Sequence, residues 1–297
     1  MIDILITGSI VYTGERLVRD GYVYIRDGKV EHVGEAPVLE DYSYATLLLG
    51  GPGRIVVPGL TAMANTAAYP LRFRGASMAE RVNYYRGLDV KTLVTLSLPA
   101  VYELHMSGVT TIIVEGLSPE LPLSLSEAVG GFYGLAVPVC SGVEPRYVPG
   151  LASALRISGP GCEGEADVVE VDGRGFKGSR RVLGLFRGAS LLLTASGVED
   201  PLGESLELRK AAMLPPPVIK QGRIAEIAVF DVSRPPAMML DTASEKEILR
   251  VYSSGARLES LIAGEDVLVD TGEHLYIVER SFKEARSLSE KVLKKLG

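Results

Sequence analysis

Histidine, the residue most often used for proton transfer, is scarce in this chain. Only His32, His105 and His274 occur among 297 residues. His105 falls inside a predicted helix ahead of Gly108, and the other two lie in β-rich terminal segments. Ser196 and Thr66 each end or follow a predicted strand, but no histidine is placed to activate either hydroxyl. Cys140 follows a third predicted strand and has no base assigned beside it, so it is expected to be a structural thiol. Carboxylates are the remaining candidates. Glu115 ends a predicted strand, Glu170 and Asp172 lie near the end of another, and Glu199 and Asp200 follow the last one. Together they could form an oxygen-only site for Mg²⁺ or Mn²⁺, but the simpler expectation is exposed loop acids. Arg72, Arg74, Arg81 and Arg86 form a local basic run, read as a solvated surface rather than an anion site. Gly130-Gly131 and Gly50-Gly51-Pro52-Gly53 match neither a phosphate loop nor a dinucleotide pattern.

The elements that must position these groups are β at both ends and alternating in the middle. Ile4-Leu5-Ile6, Ile10-Val11-Tyr12 and Tyr22-Val23-Tyr24-Ile25 are β-rich runs, and Asp27-Gly28 is a strong hairpin signal before Val30-Glu31-His32-Val33. Ala45–Leu49 and Arg54–Val57 are two further strands on either side of a glycine cluster. Helical pattern follows over 76–107 in two segments, the second opened by Pro99. Thr110–Val114 is a buried strand, Leu121–Val129 a helix, and Leu135–Val139 a strand that Pro138 marks as an edge or as distorted. Asp167–Val171 and Ser190–Thr194 are strands flanking a short helix near Arg181–Arg187. This spacing predicts βαβ units and a parallel sheet. The tail returns to β at Ile224–Phe230, with a hairpin over 258–269, and ends in an amphipathic helix over 281–296.

Composition bounds the function class. Hydrophobic residues make up 46% and charged residues 23%, ordinary for a globular protein. The net charge of −6 gives no basic footprint for nucleic acid. No apolar stretch is long enough to span a bilayer, and the N-terminus lacks the features of a signal peptide. A cytoplasmic protein is therefore expected, with Cys140 and Cys162 free by default and able to pair only if the fold brings them together. Asn65, Asn83 and Gln221 are the only side-chain amides, a scarcity that fits adaptation to high temperature.

Several segments, taken in order, resemble the metal-dependent amidohydrolase superfamily, in its branch of chlorohydrolases and nucleoside or guanine deaminases. The segments are Asp3–Gly8 with Gly21–Val30, Val57-Pro58-Gly59-Leu60, Leu71–Gly75, Ser107-Gly108-Val109-Thr110-Thr111, Gln221–Asp231 and Arg257–Asp270, with Glu226 where that branch carries an aspartate. The resemblance implies an α/β fold with a TIM-like (β/α) barrel inserted in a β-sandwich made of both chain ends. It places the sandwich at 1–53 plus 218–297 and the barrel at 54–217. A full barrel needs roughly 200 residues or more, so a truncated one of about five or six strands is expected. An open sheet edge would need cover, so a homo-oligomer or an active paralogue as partner is expected as well.

The resemblance also implies metal ligands, and the sequence departs from it there. The His-x-His positions fall on Ala64 and Thr66, and the last-strand aspartate position on Ser196. Alanine has no donor, and a threonine hydroxyl is a poor ligand for Zn²⁺ or Fe²⁺. No cofactor is therefore expected. The first reading is an amidohydrolase-like pseudoenzyme that binds a ligand or a partner. Its cavity would be lined by Asn65, Thr66, Arg72, Glu115 and Ser196 and would take a small polar molecule. One alternative is an active hydrolase of carbon–nitrogen bonds, deaminase-like and using Zn or Fe at a reorganised site. The other is a structural subunit assembled with an active paralogue.

Overall fold

The computed structural model describes residues 3–71, 76–171, 175–178, 181–182, 201–235, 237–239 and 242–296. The N-terminal part contributes strands β1 (Ile4–Tyr12), β2 (Leu17–Arg26), β3 (Lys29–Glu35) and β4 (Leu47–Pro58). Asp27 and Gly28 both have positive φ, 50° and 68°, which gives the two-residue turn its twist-matched geometry between β2 and β3. The two runs expected around Gly8 form one strand whose register against β4 shifts between Gly8 and Ile10. The runs before and after the glycine cluster likewise merge into β4. Residues 54–58 therefore pair within the terminal sheet and lie outside the barrel segment expected to begin there.

The middle of the chain contains β5 (Leu60–Ala64), α1 (Met78–Arg86), α2 (Val90–Met106), β6 (Val109–Glu115), α3 (Glu120–Val129), β7 (Phe132–Pro138), β8 (Ala154–Ser158), β9 (Val168–Val171), β10 (Gly175–Gly178), β11 (Arg181–Val182) and α4 (Pro201–Ala211). Strands β5 to β9 are parallel neighbours, and β10 and β11 continue the sheet antiparallel. This is the truncated barrel, with five parallel strands among the described residues. Three local expectations are corrected. Helix α1 starts with a capping box at Ser77, and α2 starts at Asp89, whose carboxylate accepts the Thr92 N–H. The break between them is at Gly87, and α2 runs through Pro99. The carbonyl that Pro99 leaves unpaired, four residues back at Thr95, lies on the partly exposed face of α2. Strand β7 is internal, because Pro138 is its last residue and disturbs no central bond. Arg181–Val182 is strand where a helix was expected, while 183–187 and Ser190–Thr194 lie outside the described residues.

The tail supplies β12 (Glu226–Asp231), α5 (Glu245–Leu249), β13 (Arg257–Ala263), β14 (Asp266–Asp270), β15 (Glu273–His274) and α6 (Glu279–Leu296). Strands from both ends join in the order β15-β14-β13-β12-β4-β1-β2-β3. The sheet curls. A Cβ on Gly28, at the β2–β3 tip, would meet Glu265 at the β13–β14 tip 2.9 Å away. Between them Lys29 bridges to Ile224. Ile4, Ile6, Val23, Val56, Ile227, Val229 and Ile262 fill the interior so formed.

The Pro-Gly-Leu segment is the hinge between the two sheets. Pro58 ends β4, Leu60 opens β5, and Gly59 passes so close to Thr110 that an added Cβ would lie 2.3 Å from its methyl. Only glycine fits there. Helix α4 covers the β5 edge within the chain, where the buried Ser205 hydroxyl accepts the Thr61 N–H at 2.8 Å. That edge therefore has internal cover.

The loops after β7 and β8 are joined by a disulfide between Cys140 and Cys162, which corrects the expectation of free thiols. Closing a loop of 22 positions is worth about 3 kcal/mol by chain entropy. C140S and reduced wild-type protein are both expected to unfold at a lower temperature than the oxidised protein, by similar amounts. Identical melting with and without reductant would show that the bond does not form in solution.

Candidate functional site

Alternate residues of a strand face opposite sides of a sheet. On β5, Ala62 and Ala64 join the cluster containing Leu96, Ala100 and Val101 of α2. Met63 joins a different cluster, with Ile113, Ala136, Leu155, Ile157 and Val168 from the neighbouring strands. That second cluster is the concave face of the half-barrel. Two helices fill it. Met78 of α1 and Leu208 and Ala212 of the α4 segment belong to the same cluster.

A buried ion pair closes each end of this face. At the carboxyl ends of the strands, Glu115 is completely buried. Arg81 of α1 grips it with both prongs, Nε donating to Oε1 at 2.7 Å and Nη2 to Oε2 at 2.8 Å. The Tyr85 hydroxyl donates to Oε1 at 2.8 Å, and burial, then the Glu115 charge, pushes its pKa well up. Arg81 also reaches the Ala76 carbonyl at 3.1 Å. The expectation that Glu115 is an exposed loop acid and Arg81 part of a solvated surface is therefore wrong. The i, i+4 spacing of Arg81 and Tyr85 places both on one helix face, and it is the signal in the sequence that could have located this cluster.

At the amino ends of the strands the central acid is Glu226. Its Oε2 accepts from Thr110 at 2.9 Å, Thr111 at 2.7 Å and Arg209 Nη1 at 2.9 Å, and its Oε1 accepts from Arg209 Nη2 at 2.6 Å. Arg209 also donates to Thr61 and to the Pro215 carbonyl. Burial pushes the Glu226 carboxyl up, and the Arg209 and threonine hydrogen bonds outweigh it, so its pKa lies below the ordinary value. The Thr-Thr segment and the acid at 226 thus join α4, β5, β6 and β12.

The residues expected to share one cavity are distributed differently. Thr66 is buried, and its hydroxyl pairs with Ser97 of α2 at 3.1 Å. Ala64 lies on the α2 side of the sheet. Asn65 follows β5, is 8% exposed, and makes none of the bonds that hold Thr66 and Glu115. Arg72 and Ser196 lie outside the described residues, as do Asp172, Glu199 and Asp200. Among the described residues no three His, Cys, Asp or Glu side chains cluster as a metal site would require. The described residues at the strand ends offer few donors to a transition metal. Ala64 carries no donor, Thr66 is engaged by Ser97, and both Glu115 oxygens already carry charge-assisted bonds.

Sequence reasoning missed the contact between His105 and His274, buried rings 169 positions apart whose nitrogens lie 2.9 Å from each other. Nothing in the local sequence of either residue points to the other.

The buried pair has a measurable consequence. Removing one partner strands the other charge, which costs about 3–5 kcal/mol, whereas replacing both by apolar residues is often close to neutral. E115A is expected to lose stability in that range and R81M/E115L far less, by denaturant titration. A loss below about 1 kcal/mol for E115A would mean that Glu115 is solvated.

No protein-family model matches the sequence, and no curated protein matches it. Solved structures do match over nearly the whole chain. A triazine hydrolase variant superposes with a TM-score of 0.69 at 14% identity, covering 97% of this chain and 99% of that one. Atrazine chlorohydrolase TrzN from Arthrobacter aurescens TC1, complexed with zinc, gives 0.65 at 15% identity, covering 96% and 100%. An adenosine deaminase from Xanthomonas campestris with bound zinc gives 0.63 at 9% identity, covering 99% of each chain. No helix among the described residues is long and apolar enough to cross a membrane. The hinge, the curled terminal sheet and the parallel half-barrel together give this chain the fold of these solved hydrolase and deaminase structures, with five parallel barrel strands among the described residues.

Proposed function

We propose that this chain is an amidohydrolase-fold protein that no longer hydrolyses carbon–nitrogen bonds with a metal and instead binds a small polar ligand or a partner. One observation supports this reading above the others: Arg81 takes both oxygens of Glu115, the acid that ends the second barrel strand. In such folds, strand ends on this face are where chemistry is placed. Here a guanidinium, which never deprotonates in a protein, supplies the positive charge. With Ala64 and Thr66 at the histidine positions, no described residue is set up to hold a metal that would lower the pKa of water. The ligand site of this reading is the strand-end region around Asn65.

We also assign the protein to the cytoplasm of a heat-adapted cell. Cytosolic disulfides are rare in mesophiles but frequent in hyperthermophiles. The Cys140–Cys162 bond and the presence of three side-chain amides in the whole sequence agree with that setting.

Elemental analysis of purified protein, paired with an ammonia-release assay on aminotriazine, adenosine and guanine substrates, each of which carries an unsubstituted amino group, in added Zn²⁺ or Mn²⁺, tests the proposal. The expected result is metal well below one per chain after dialysis and no ammonia above the buffer rate. Stoichiometric bound metal, or turnover abolished by E115Q, would establish the hydrolase alternative instead.

A further inference from the structure

A chain of hydrogen bonds links α2 to the C-terminal segment, and the proton positions in it follow from the geometry. His274 Nδ1 lies 3.1 Å from the backbone N of Tyr276 and 3.0 Å from that of Ile277. Two N–H donors aimed at one nitrogen make it an acceptor, so the neutral ring carries its proton on Nε2. That N–H donates to His105 Nδ1 at 2.9 Å, and the rings stack with centroids 5.2 Å apart. His105 therefore keeps its own proton on Nε2, a buried atom with no hydrogen-bond partner among the described residues. The pair has no room for a further proton. One on His105 Nδ1 would face the His274 Nε2–H, and one on His274 Nδ1 would face two backbone N–H groups.

The groups around the pair supply little compensation. From α2, the Tyr102 ring lies 5.8 Å from the His274 ring, and Glu103 is bonded to Tyr69. Tyr276 lies 6.3 Å from His274, and from β7 the Tyr133 ring lies 6.5 Å from His105, its hydroxyl also buried with no partner among the described residues. From β14, Asp266 accepts the Gly131 N–H at 3.1 Å and bonds neither ring. The segment beyond His274 depends on this junction. It enters α6, which packs on α2 with Ala285 and Val292 buried and with Phe282 edge-on to Tyr102 at 5.0 Å.

We infer that the His105–His274 pair is an acid-sensitive latch: when neutral it holds α6 on α2, and a proton taken up by either ring breaks its hydrogen bonds and frees residues 275–296. Burial, then the neighbouring His274, holds His105 well below the ordinary histidine value, and burial lowers His274 to about 4. A freed histidine takes up its proton near pH ~6.5. Docking is therefore at full strength above that value and weakens as pH falls toward the folded value. The opening equilibrium rises about tenfold per pH unit for each proton taken up.

Hydrogen exchange on the full chain, corrected for intrinsic rate, tests this between about pH 7.5 and about pH 5. Residues 275–296 are expected to keep their protection above pH ~6.5 and to lose it about ten- to hundredfold per pH unit below that value, while β1–β4 keep theirs. In H105L the dependence should fall to the single-proton slope or vanish. Should H105L fail to fold, nuclear magnetic resonance of the wild-type histidines decides. Both rings of the pair should carry Nε2–H at neutral pH and should titrate together with release of α6. Protection of α6 that does not change with pH, or rings that titrate while α6 stays docked, would overturn the latch.

Discussion

A half-barrel has a concave face with nothing opposite it, and burying that face is the constraint on which the rest of this structure depends. In a complete barrel, side chains from opposite strands fill the interior in layers. Here β5 to β9 supply Met63, Ile113, Ala136, Leu155 and Val168, and the opposing layer comes from α1 and α4 through Met78, Leu208 and Ala212. Helices carry no strand edge, so they fill volume but cannot extend the sheet. They are fixed instead by one buried arginine each, Arg81 onto Glu115 and Arg209 onto Glu226. A buried ion pair is weak as a source of net stability but costly to break, which suits a role in holding two helices in one position.

The same packing occupies the strand ends. In the amidohydrolase fold the carboxyl ends of the strands form an open mouth. In this chain α1 lies across β6, β7 and β8, with the Met78 N–H on the Pro160 carbonyl and Arg86 on the Ser141 carbonyl. Arg81 and Tyr85 together take three of the roughly four lone-pair sites of Glu115, both oxygens included. Three of the resembling segments, at 57–60, 107–111 and 221–231, join the two sheets. Gly59 fits under Thr110, Thr110 and Thr111 hold Glu226, and Glu226 holds Arg209.

Much of this was legible where local chemistry dictates conformation. Asp27-Gly28 requires positive φ at two successive residues, and Pro58-Gly59-Leu60 requires a residue without a Cβ. The parallel strands showed as short apolar runs between helical patterns, and the shortened barrel showed in the length available to it. What stayed hidden depends on contacts distant in sequence. An acid at the end of a strand looks solvated until the arginine 34 positions before it is placed beside it. Two cysteines separated by 22 positions, and two histidines by 169, carry no local mark of their pairing. Pro99 misled because a proline in a helix is tolerated when the carbonyl it frees can meet solvent.

The central claim is that Arg81, and not a metal ion, neutralises Glu115 at the mouth of the half-barrel. Anomalous X-ray diffraction from crystals soaked in Zn²⁺ and Mn²⁺ tests it most directly. The expected map has no anomalous peak within bonding distance of Glu115 and shows Arg81 still bound to both of its oxygens. A metal peak coordinated by Glu115, with Arg81 displaced, would contradict it.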